Sequence, residues 1–291
     1  MLSNPSRTQA ILYLILTAIL WSFGGLLIKI VTWNPIAIAG MRSAIASIFI
    51  LIYLRHPRLT WSRNQILGAL FYSATVILFV YATKKTTAAN AILLQYSAPI
   101  YVALLGNRIL GEKTSRLDWM IIFTVIGGMM LFFLDQFQIG NVLGNLLAIM
   151  SGITFALLTI YLRSQKDASP LESVLMGNIL TALIALPFMF TSAPSKTSWL
   201  GLILLGTFQI GLAYILYSIA IKQVTALEGS LIPIIEPILN PVWVFLVLGE
   251  TPSKWALVGG SIIIAAMILR YLLPALNNKR QKNQSMKSKT F

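Results

Sequence analysis

Apolar runs of helical length follow one another along almost the whole chain. A helix needs about 20 mostly apolar residues to cross a bilayer, and ten segments approach that length. We place these predicted spans at residues 10–31, 35–55, 64–83, 87–108, 117–135, 142–163, 170–191, 198–221, 225–248 and 254–273. The connections are short and carry turn signals such as Asn34-Pro35 and Ser169-Pro170. The pattern predicts an all-α integral membrane protein without a soluble domain.

The composition supports the same prediction. Hydrophobic residues make up 57% of the 291 positions and charged residues only 10%, whereas soluble domains average about 25% charged residues. The first apolar run, from Ala10 to about Val31, is longer than the core of a signal peptide and lacks a convincing cleavage site, so we expect a retained first span. The absence of cysteine excludes disulfides, thiolate metal sites and a cysteine nucleophile.

The net charge of +14 indicates membrane orientation rather than nucleic-acid binding, because the basic residues lie between the apolar runs and in the tail. With both termini in the cytoplasm, the inner loops and tails hold fifteen Lys and Arg residues and the outer loops hold four. This bias predicts cytoplasmic termini for a multi-pass protein of the cell (inner or plasma) membrane. The outer Lys84-Lys85 pair fits the bias least well. We expect the basic cytoplasmic tail, residues 277–291, to be unstructured.

The second half of the chain repeats the first. A shift of 138 residues places 86–112 over 224–250, so that Pro99 meets Pro237 and both segments end in Leu-Gly-Glu. Over residues 82–131 this shift gives 14 identities in 50 positions. Apolar composition alone would produce some matches, but it does not explain a shared proline and a shared Leu-Gly-Glu without a gap.

The repeat predicts two five-helix domains, residues 7–135 and 141–273. Five is odd, so the two halves enter the membrane from opposite sides and form two inverted five-helix repeats, ten transmembrane helices in all. Inverted repeats are typical of carriers, whose binding sites lie near the bilayer midplane between the repeats.

The duplicated Thr-Ala, Pro-Ile and Leu-Gly-Glu pattern resembles the EamA-type transporters of the drug/metabolite transporter superfamily. The resemblance extends from about residue 10 to 273, and Trp21 and Asn34-Pro35 with Arg42 also fit it. It implies ten helices, cytoplasmic termini and a central cavity lined by spans 1–4 and 6–9. It further implies that spans 5 and 10 pack outside, where they suit a homodimer, and that the substrates are small exported metabolites such as amino acids.

Glu236 lies inside the ninth predicted span. A charge at the centre of a membrane helix costs about 2.5–3.5 kcal/mol, so this residue needs an explanation. It is either a contact for a substrate or a proton, or one member of a structural pair. Asn240 follows one turn later on the same helix face. The equivalent position in the first half is Ala98, so the two halves differ chemically here.

Three prolines surround Glu236. Pro233, Pro237 and Pro241 each lack a backbone donor and leave unpaired the carbonyl four residues earlier. In lipid such carbonyls are tolerated only where protein or a water-filled cavity satisfies them. The sequence leaves two interpretations open, namely a kink repaired by neighbouring side chains and carbonyls offered to a ligand. Pro99 predicts a milder kink in span four.

Arg42 is the second charge inside a predicted span. It either contacts a substrate carboxylate or an intramembrane acid, or it reaches the interface with its long side chain. Other polar and aromatic residues are candidates for a cavity, with packing as their alternative role: Trp21, Gln95, Tyr96, Tyr101, Gln209 and Tyr214.

These features favour a secondary transporter that exports small metabolites by alternating access, with proton coupling as an option. The alternative is a passive facilitator or uniporter of small polar solutes. An intramembrane enzyme is disfavoured because the chain has one loop histidine, His56, and few intramembrane acids. We expect no metal site, no cofactor and, in the absence of a phosphate-binding loop, no ATP-driven pump.

Overall fold

The computed structural model describes residues 5–135, 141–239, 243 and 253–287, with side chains as far as Arg270. Every regular element in these ranges is helical, as the sequence predicts. The α-helices are α1 (Arg7–Trp21), α2 (Gly24–Ile30), α3 (Pro35–Leu54), α4 (Arg63–Lys85), α5 (Ala88–Gln95), α6 (Ala98–Leu110), α7 (Arg116–Phe132), α8 (Val142–Arg163), α9 (Pro170–Met189), α10 (Lys196–Leu204), α11 (Ala213–Ala220), α12 (Ala226–Leu231) and α13 (Lys254–Lys287). A π-helix, Leu205–Leu212, joins α10 to α11, and a 3-10 turn, Ile232–Ile234, follows α12.

Among the described residues, seven helical segments are long and apolar enough to cross a membrane. They are Arg7–Ile30, Pro35–Leu54, Arg63–Lys85, Ala88–Leu110, Val142–Arg163, Pro170–Met189 and Lys196–Ala220. Each coincides with one of the predicted spans, so the chain is a multi-pass membrane protein. Of the other three predicted spans, the fifth is the 17-residue helix α7. The ninth is described only in part, the tenth lies within the longer helix α13, and the count of ten stays a prediction.

Local sequence explains where the helices begin and end. Side-chain oxygens of Ser6, Asn34, Ser62 and Thr87 accept hydrogen bonds from the first-turn N–H groups of α1, α3, α4 and α5. At the other end of a span, Gly111 caps α6 with a φ of 71°, a left-handed conformation that glycine adopts without strain.

Lys84, which belongs to the pair that fits the charge bias least well, has a local role together with Lys29. The Lys84 ammonium donates to the carbonyl of Val31 at 2.7 Å, and the Lys29 ammonium donates to the carbonyl of Thr86 at 3.0 Å. Cations at helix C-termini satisfy carbonyls that have no partner inside the helix. These lysines therefore join the ends of α2 and α4, independently of how the protein is oriented.

Four spans are interrupted inside the membrane. The first breaks between α1 and α2, the fourth between α5 and α6, the eighth contains the π-helix and the ninth contains the 3-10 turn. In the fourth span Pro99 lies in the first turn of α6, where a missing N–H costs nothing. The predicted kink at Pro99 is thus a break between two helices. Interrupted helices of this kind line the binding sites of many transporters.

The helix contacts come in matched pairs. Numbering the segments as spans 1 to 10, span 3 packs on span 6 and span 1 packs on span 8; span 3 also packs on span 7, and span 2 packs on span 8. Spans 2 and 7, 4 and 9, and 5 and 10 pack directly on each other. These contacts fit a two-fold relation between the halves, in which each span of the first half is exchanged with the span five positions later. Under this exchange, every contact named here becomes another contact in the set or stays the same.

Glycines allow the closest of these contacts. A Cβ added to Gly259 on α13 would lie 2.4 Å from the carbonyl oxygen of Gly128 on α7, and one added to Gly40 would lie 2.2 Å from Ala185 on α9. Such close packing is usual for small residues between membrane helices. Gly127, by contrast, faces open space, with nothing within 4 Å of an added Cβ.

The basic tail differs from expectation. We expected residues 277–291 to be unstructured, but α13 continues without interruption to Lys287. The segment after Pro274 contains no glycine or proline that would end a helix. High charge alone was therefore a poor indicator of where the last helix stops.

Candidate functional site

A central cavity lies where the interrupted spans meet. Its walls are Trp21, Arg42, Thr75, Val76, Phe79, Gln95, Tyr96, Phe155, Gln209, Ile210, Tyr214 and Glu236. The volume open to the centres of water-sized molecules is about 50 Å³, enough for roughly three to five waters. A small polar ligand fits this space, whereas a bulky one needs the walls to move.

Arg42 is a buried cation whose hydrogen-bonding capacity is largely unused. Its side chain is 2% exposed, which rules out the interpretation that it reaches the membrane interface. One guanidinium nitrogen, Nη1, donates to Gln209 Oε1 at 3.3 Å, and the buried Nε has no partner. Among the described residues no carboxylate lies within 4.0 Å of the guanidinium. A buried hydrogen-bond donor without a partner lowers stability. Arg42 therefore gives the cavity wall a donor that can bind a hydrogen-bond acceptor.

The π-helix positions Gln209 beside Arg42. A Cβ on Gly206 would lie 2.6 Å from the Ile45 side chain and 2.8 Å from the Arg42 carbonyl oxygen, so the π-helix packs directly on α3. Single turns of π-helix inside longer helices are frequent at functional sites because they shift the side chains out of the ordinary register. The arrangement brings one amide oxygen to Arg42 and leaves the rest of the guanidinium to the cavity.

Glu236 lies in the same cavity as Arg42. The carboxyl group is 7% exposed, and its Oε2 lies 2.6 Å from the Tyr96 hydroxyl oxygen. Within the described part of the chain no basic side chain pairs with it. The structural pair that the sequence left open is thus not formed with any described residue. The cavity contains one acidic and one basic group that do not neutralise each other.

Tyrosine hydroxyl groups satisfy the carbonyls that the prolines leave unpaired. Tyr217 donates to the carbonyl of Gly229 at 3.1 Å, and the Tyr96 hydroxyl lies 2.7 Å from the carbonyl oxygen of Pro233. At both positions the kink is repaired by a neighbouring span, which was one of the two interpretations left open. Pro237 lies in the helical stretch 235–239, while Pro241 and Asn240 are outside the described residues.

The other candidates separate into two groups. Trp21 lines the cavity and packs on Phe155, Tyr214 and Tyr217 with ring-centre distances of 5.2 to 5.7 Å. Gln95 also lines it and donates to the Ser151 hydroxyl at 2.7 Å. Tyr101, in contrast, is half-buried and packs against the hydrophobic core away from the cavity walls.

Sequence reasoning missed the walls that spans three and six contribute. Thr75, Val76 and Phe79 on α4 and Phe155 on α8 line the cavity. None of them carries a charge, a kink or a repeated motif. The only available signal was their position in two spans that the resemblance assigns to the cavity.

Acidic side chains close one face of the protein. The Arg163 guanidinium donates to Glu112 at 2.9 Å, and the second oxygen of Glu112 accepts from the backbone N–H of Ala226 at 2.8 Å. Glu112 therefore ties the ends of spans four and six to the start of span nine. Its equivalent in the second Leu-Gly-Glu motif, Glu250, lies outside the described residues.

Glu228 belongs to this face rather than to the cavity. It occupies the first turn of α12, where it caps the helix together with Thr225. It accepts from Arg7 at 2.6 Å, and Arg270 lies 3.5 Å away while also bonding Asp118 at 3.0 Å. All the ion pairs among the described residues thus lie at the membrane face where the chain begins.

Interrupted membrane helices around a buried, charged cavity define a membrane transporter. The chain belongs to the EamA-like transporter family, whose model matches residues 8–134 and again residues 142–272. This confirms the resemblance drawn from the repeated motif. The protein therefore acts in transport across a membrane and not as an enzyme of the bilayer.

Two relatives carry functional names. The pseudopaline exporter CntI of Pseudomonas aeruginosa (strain UCBPP-PA14) is 24% identical over 78% of this chain and 82% of its own length. The threonine/homoserine exporter RhtA of Escherichia coli (strain K12) is 26% identical over 79% of this chain and 80% of its own length. A solved crystal structure of a chain that is 19% identical has the same fold, with a TM-score of 0.78 over 92% of this chain and 98% of the other.

Proposed function

We propose that the protein is a secondary transporter that exports small metabolites, amino acids or related compounds, by alternating access and with proton coupling. One observation carries the proposal, namely that a single buried cavity contains both Arg42 and Glu236 without an ion pair between them. A zwitterion offers a carboxylate to the guanidinium and an ammonium group to the carboxylate. The name of the threonine/homoserine exporter favours the same class of substrate.

Alternating access requires two halves that can exchange roles. The proposed architecture is ten spans in two inverted five-helix repeats, residues 7–135 and 141–273. Its support is the repeated sequence motif, the double match to the family model and the matched pairs of helix contacts. Helices α7 and α13 pack on each other at the periphery, where a homodimer stays a prediction.

The direction of opening follows from the charges. With cytoplasmic termini, as the excess of basic residues in the inner loops predicts, the face closed by Glu112 and Glu228 is the cytoplasmic one. In this arrangement the described conformation is sealed toward the cytoplasm. Breaking the pairs of Arg163 and Arg270 is then the event that admits a substrate from inside.

Transport by the purified protein in liposomes tests the proposal. A panel of amino acids, nucleosides and organic cations is offered with and without a pH gradient, and the expected result is uphill flux of amino acids that depends on the gradient. Glu236→Gln should abolish the dependence on the gradient, while Arg108→Gln, which removes an exposed charge on α6, should leave flux unchanged. Amino-acid flux that ignores the gradient would instead identify a passive facilitator, and the absence of any flux would contradict the proposal.

A further inference from the structure

Three oxygen atoms of the cavity wall lie unusually close together. The Tyr96 hydroxyl oxygen is 2.6 Å from Glu236 Oε2 and 2.7 Å from the carbonyl oxygen of Pro233. Both distances are those of O–H···O hydrogen bonds. The Tyr96 hydroxyl thus has two acceptors, the Glu236 carboxyl group and the Pro233 carbonyl, within reach of its single hydrogen.

The number of hydrogens available to these contacts depends on the protonation state of Glu236. Tyr96 brings one hydrogen, and the Pro233 carbonyl brings none. A protonated carboxyl group supplies a second hydrogen, so that Glu236 donates to the Tyr96 oxygen and Tyr96 donates to Pro233. An ionised carboxylate supplies none and competes with the Pro233 carbonyl for the Tyr96 hydrogen.

Pro237 explains why the Pro233 carbonyl takes part. In a regular helix this carbonyl would accept from the N–H of residue 237, but proline has none. The N–H of Ile235 is shared between the carbonyls of Ile232 and Pro233, which leaves room for a stronger donor. Tyr96, from the fourth span, supplies that donor.

We propose that Tyr96 is a positioning residue that exchanges its single hydrogen bond between Glu236 and Pro233, so that proton release by Glu236 breaks a contact between spans four and nine. On release the Oε2–H bond breaks and the proton passes to cavity water. The tyrosine hydrogen then turns from the Pro233 carbonyl to the new carboxylate. Spans four and nine occupy equivalent positions in the two halves, so the exchange links proton release to their relative placement.

The other titratable groups around the cavity are Arg42 on α3 and Tyr214 on α11. Neither forms a hydrogen bond with Glu236. The inference rests on the proposed proton coupling, because it assigns the step by which that proton changes the structure. It can fail by itself, since Glu236 could drive transport without any contribution from Tyr96.

Infrared spectroscopy of the purified, reconstituted protein tests the exchange. A protonated carboxyl group gives its own carbonyl-stretch band, which Glu236→Gln identifies by removing it. We expect this band at neutral pH in the unaltered protein. Pro237→Ala restores the N–H that the Pro233 carbonyl lacks and leaves the tyrosine hydrogen to the carboxylate. The pH at which the band disappears should therefore fall by about one unit, a tenfold change in proton affinity.

Pro233→Ala is the matched control. It replaces proline by alanine one turn earlier in the same helix. The restored N–H there faces the Gly229 carbonyl, which Tyr217 already satisfies. The band should then disappear at the same pH as in the unaltered protein. Tyr96→Phe gives a second readout, because the acid loses its acceptor and the frequency of the band should move.

The absence of a Glu236-dependent band at neutral pH would overturn the proposal. So would an equal effect of Pro237→Ala and Pro233→Ala, or an unchanged frequency in Tyr96→Phe. Gradient-driven transport that still requires Glu236 would in those cases leave the proposed function standing.

Discussion

Replacement of Arg42 should have opposite effects on stability and on binding. Arg42 is 2% exposed, makes one 3.3 Å hydrogen bond and keeps a buried Nε without a partner. Arg42→Gln removes the charge and retains an amide that can still bond Gln209. We therefore expect the empty transporter to become more stable and its affinity for substrate to fall.

The magnitudes follow from the unused donor. A buried polar group without a partner costs about 1–3 kcal/mol, and that is the stability the substitution should return. In a chain of this size the unfolding midpoint would rise by about 2–4 °C for each kcal/mol. A hydrogen bond to a charged group contributes about 1.5–3 kcal/mol, so the loss of one substrate contact should weaken binding by about 10- to 150-fold.

Thermal unfolding in detergent, with and without ligand, measures both effects on one sample. The unaltered protein should have the lower midpoint when empty and the larger rise on addition of an amino acid. Arg42→Lys, which keeps the charge with fewer donors, serves as the control and should not gain stability. A lower midpoint for empty Arg42→Gln would show that Arg42 is a structural residue and would refute the reasoning.

Three further predictions test the surrounding structure. Gly259→Ala places a methyl group 2.4 Å from the Gly128 carbonyl oxygen and should cost about 1–3 kcal/mol of stability. The control Gly127→Ala meets nothing within 4 Å and should be neutral or stabilising. Equal effects of the two substitutions in thermal unfolding would contradict the packing of α7 on α13. Tyr217→Phe leaves the Gly229 carbonyl without its donor and should lower stability by about 1–3 kcal/mol, and no loss would mean that water replaces the hydroxyl. Glu112→Ala removes the bonds to Arg163 and Ala226 and should speed the labelling of a cysteine introduced at the buried Leu227. The chain has no cysteine of its own, so only the introduced cysteine is labelled. An unchanged labelling rate would argue against a seal at this face.

The membrane fold could be predicted because each span carries its own signal. Seven predicted spans coincide with seven helices, and the turn residues between them mark the boundaries to within a few positions. The breaks at Pro99 and Pro233 could also be predicted, because proline has no N–H and the helical hydrogen bond of that position is lost. The π-helix at Gln209 was not visible, because nothing in Leu205–Leu212 distinguishes it from an ordinary helix.

The residues of the cavity could be predicted only where a charged residue interrupts an apolar span. Arg42 and Glu236 stood out because a charge in a span is expensive, and both line the cavity. Their separation could not be predicted, because the sequence gives the depth of a residue in its own span but not the rotation of one helix against another. Glu228 shows the same limit, because its partners Arg7 and Arg270 come from other spans and hold it at the membrane face.

The central claim is that Arg42 and Glu236 bind the two charged groups of one small zwitterion. Equilibrium binding to the purified protein tests it most directly, with an amino acid, its uncharged carboxamide analogue and its analogue without the amino group. The unaltered protein should bind the amino acid at least tenfold more tightly than either analogue. Arg42→Gln should remove only the preference over the carboxamide, and Glu236→Gln only the preference over the analogue without the amino group. Equal loss of affinity for all three ligands in both variants would contradict the account.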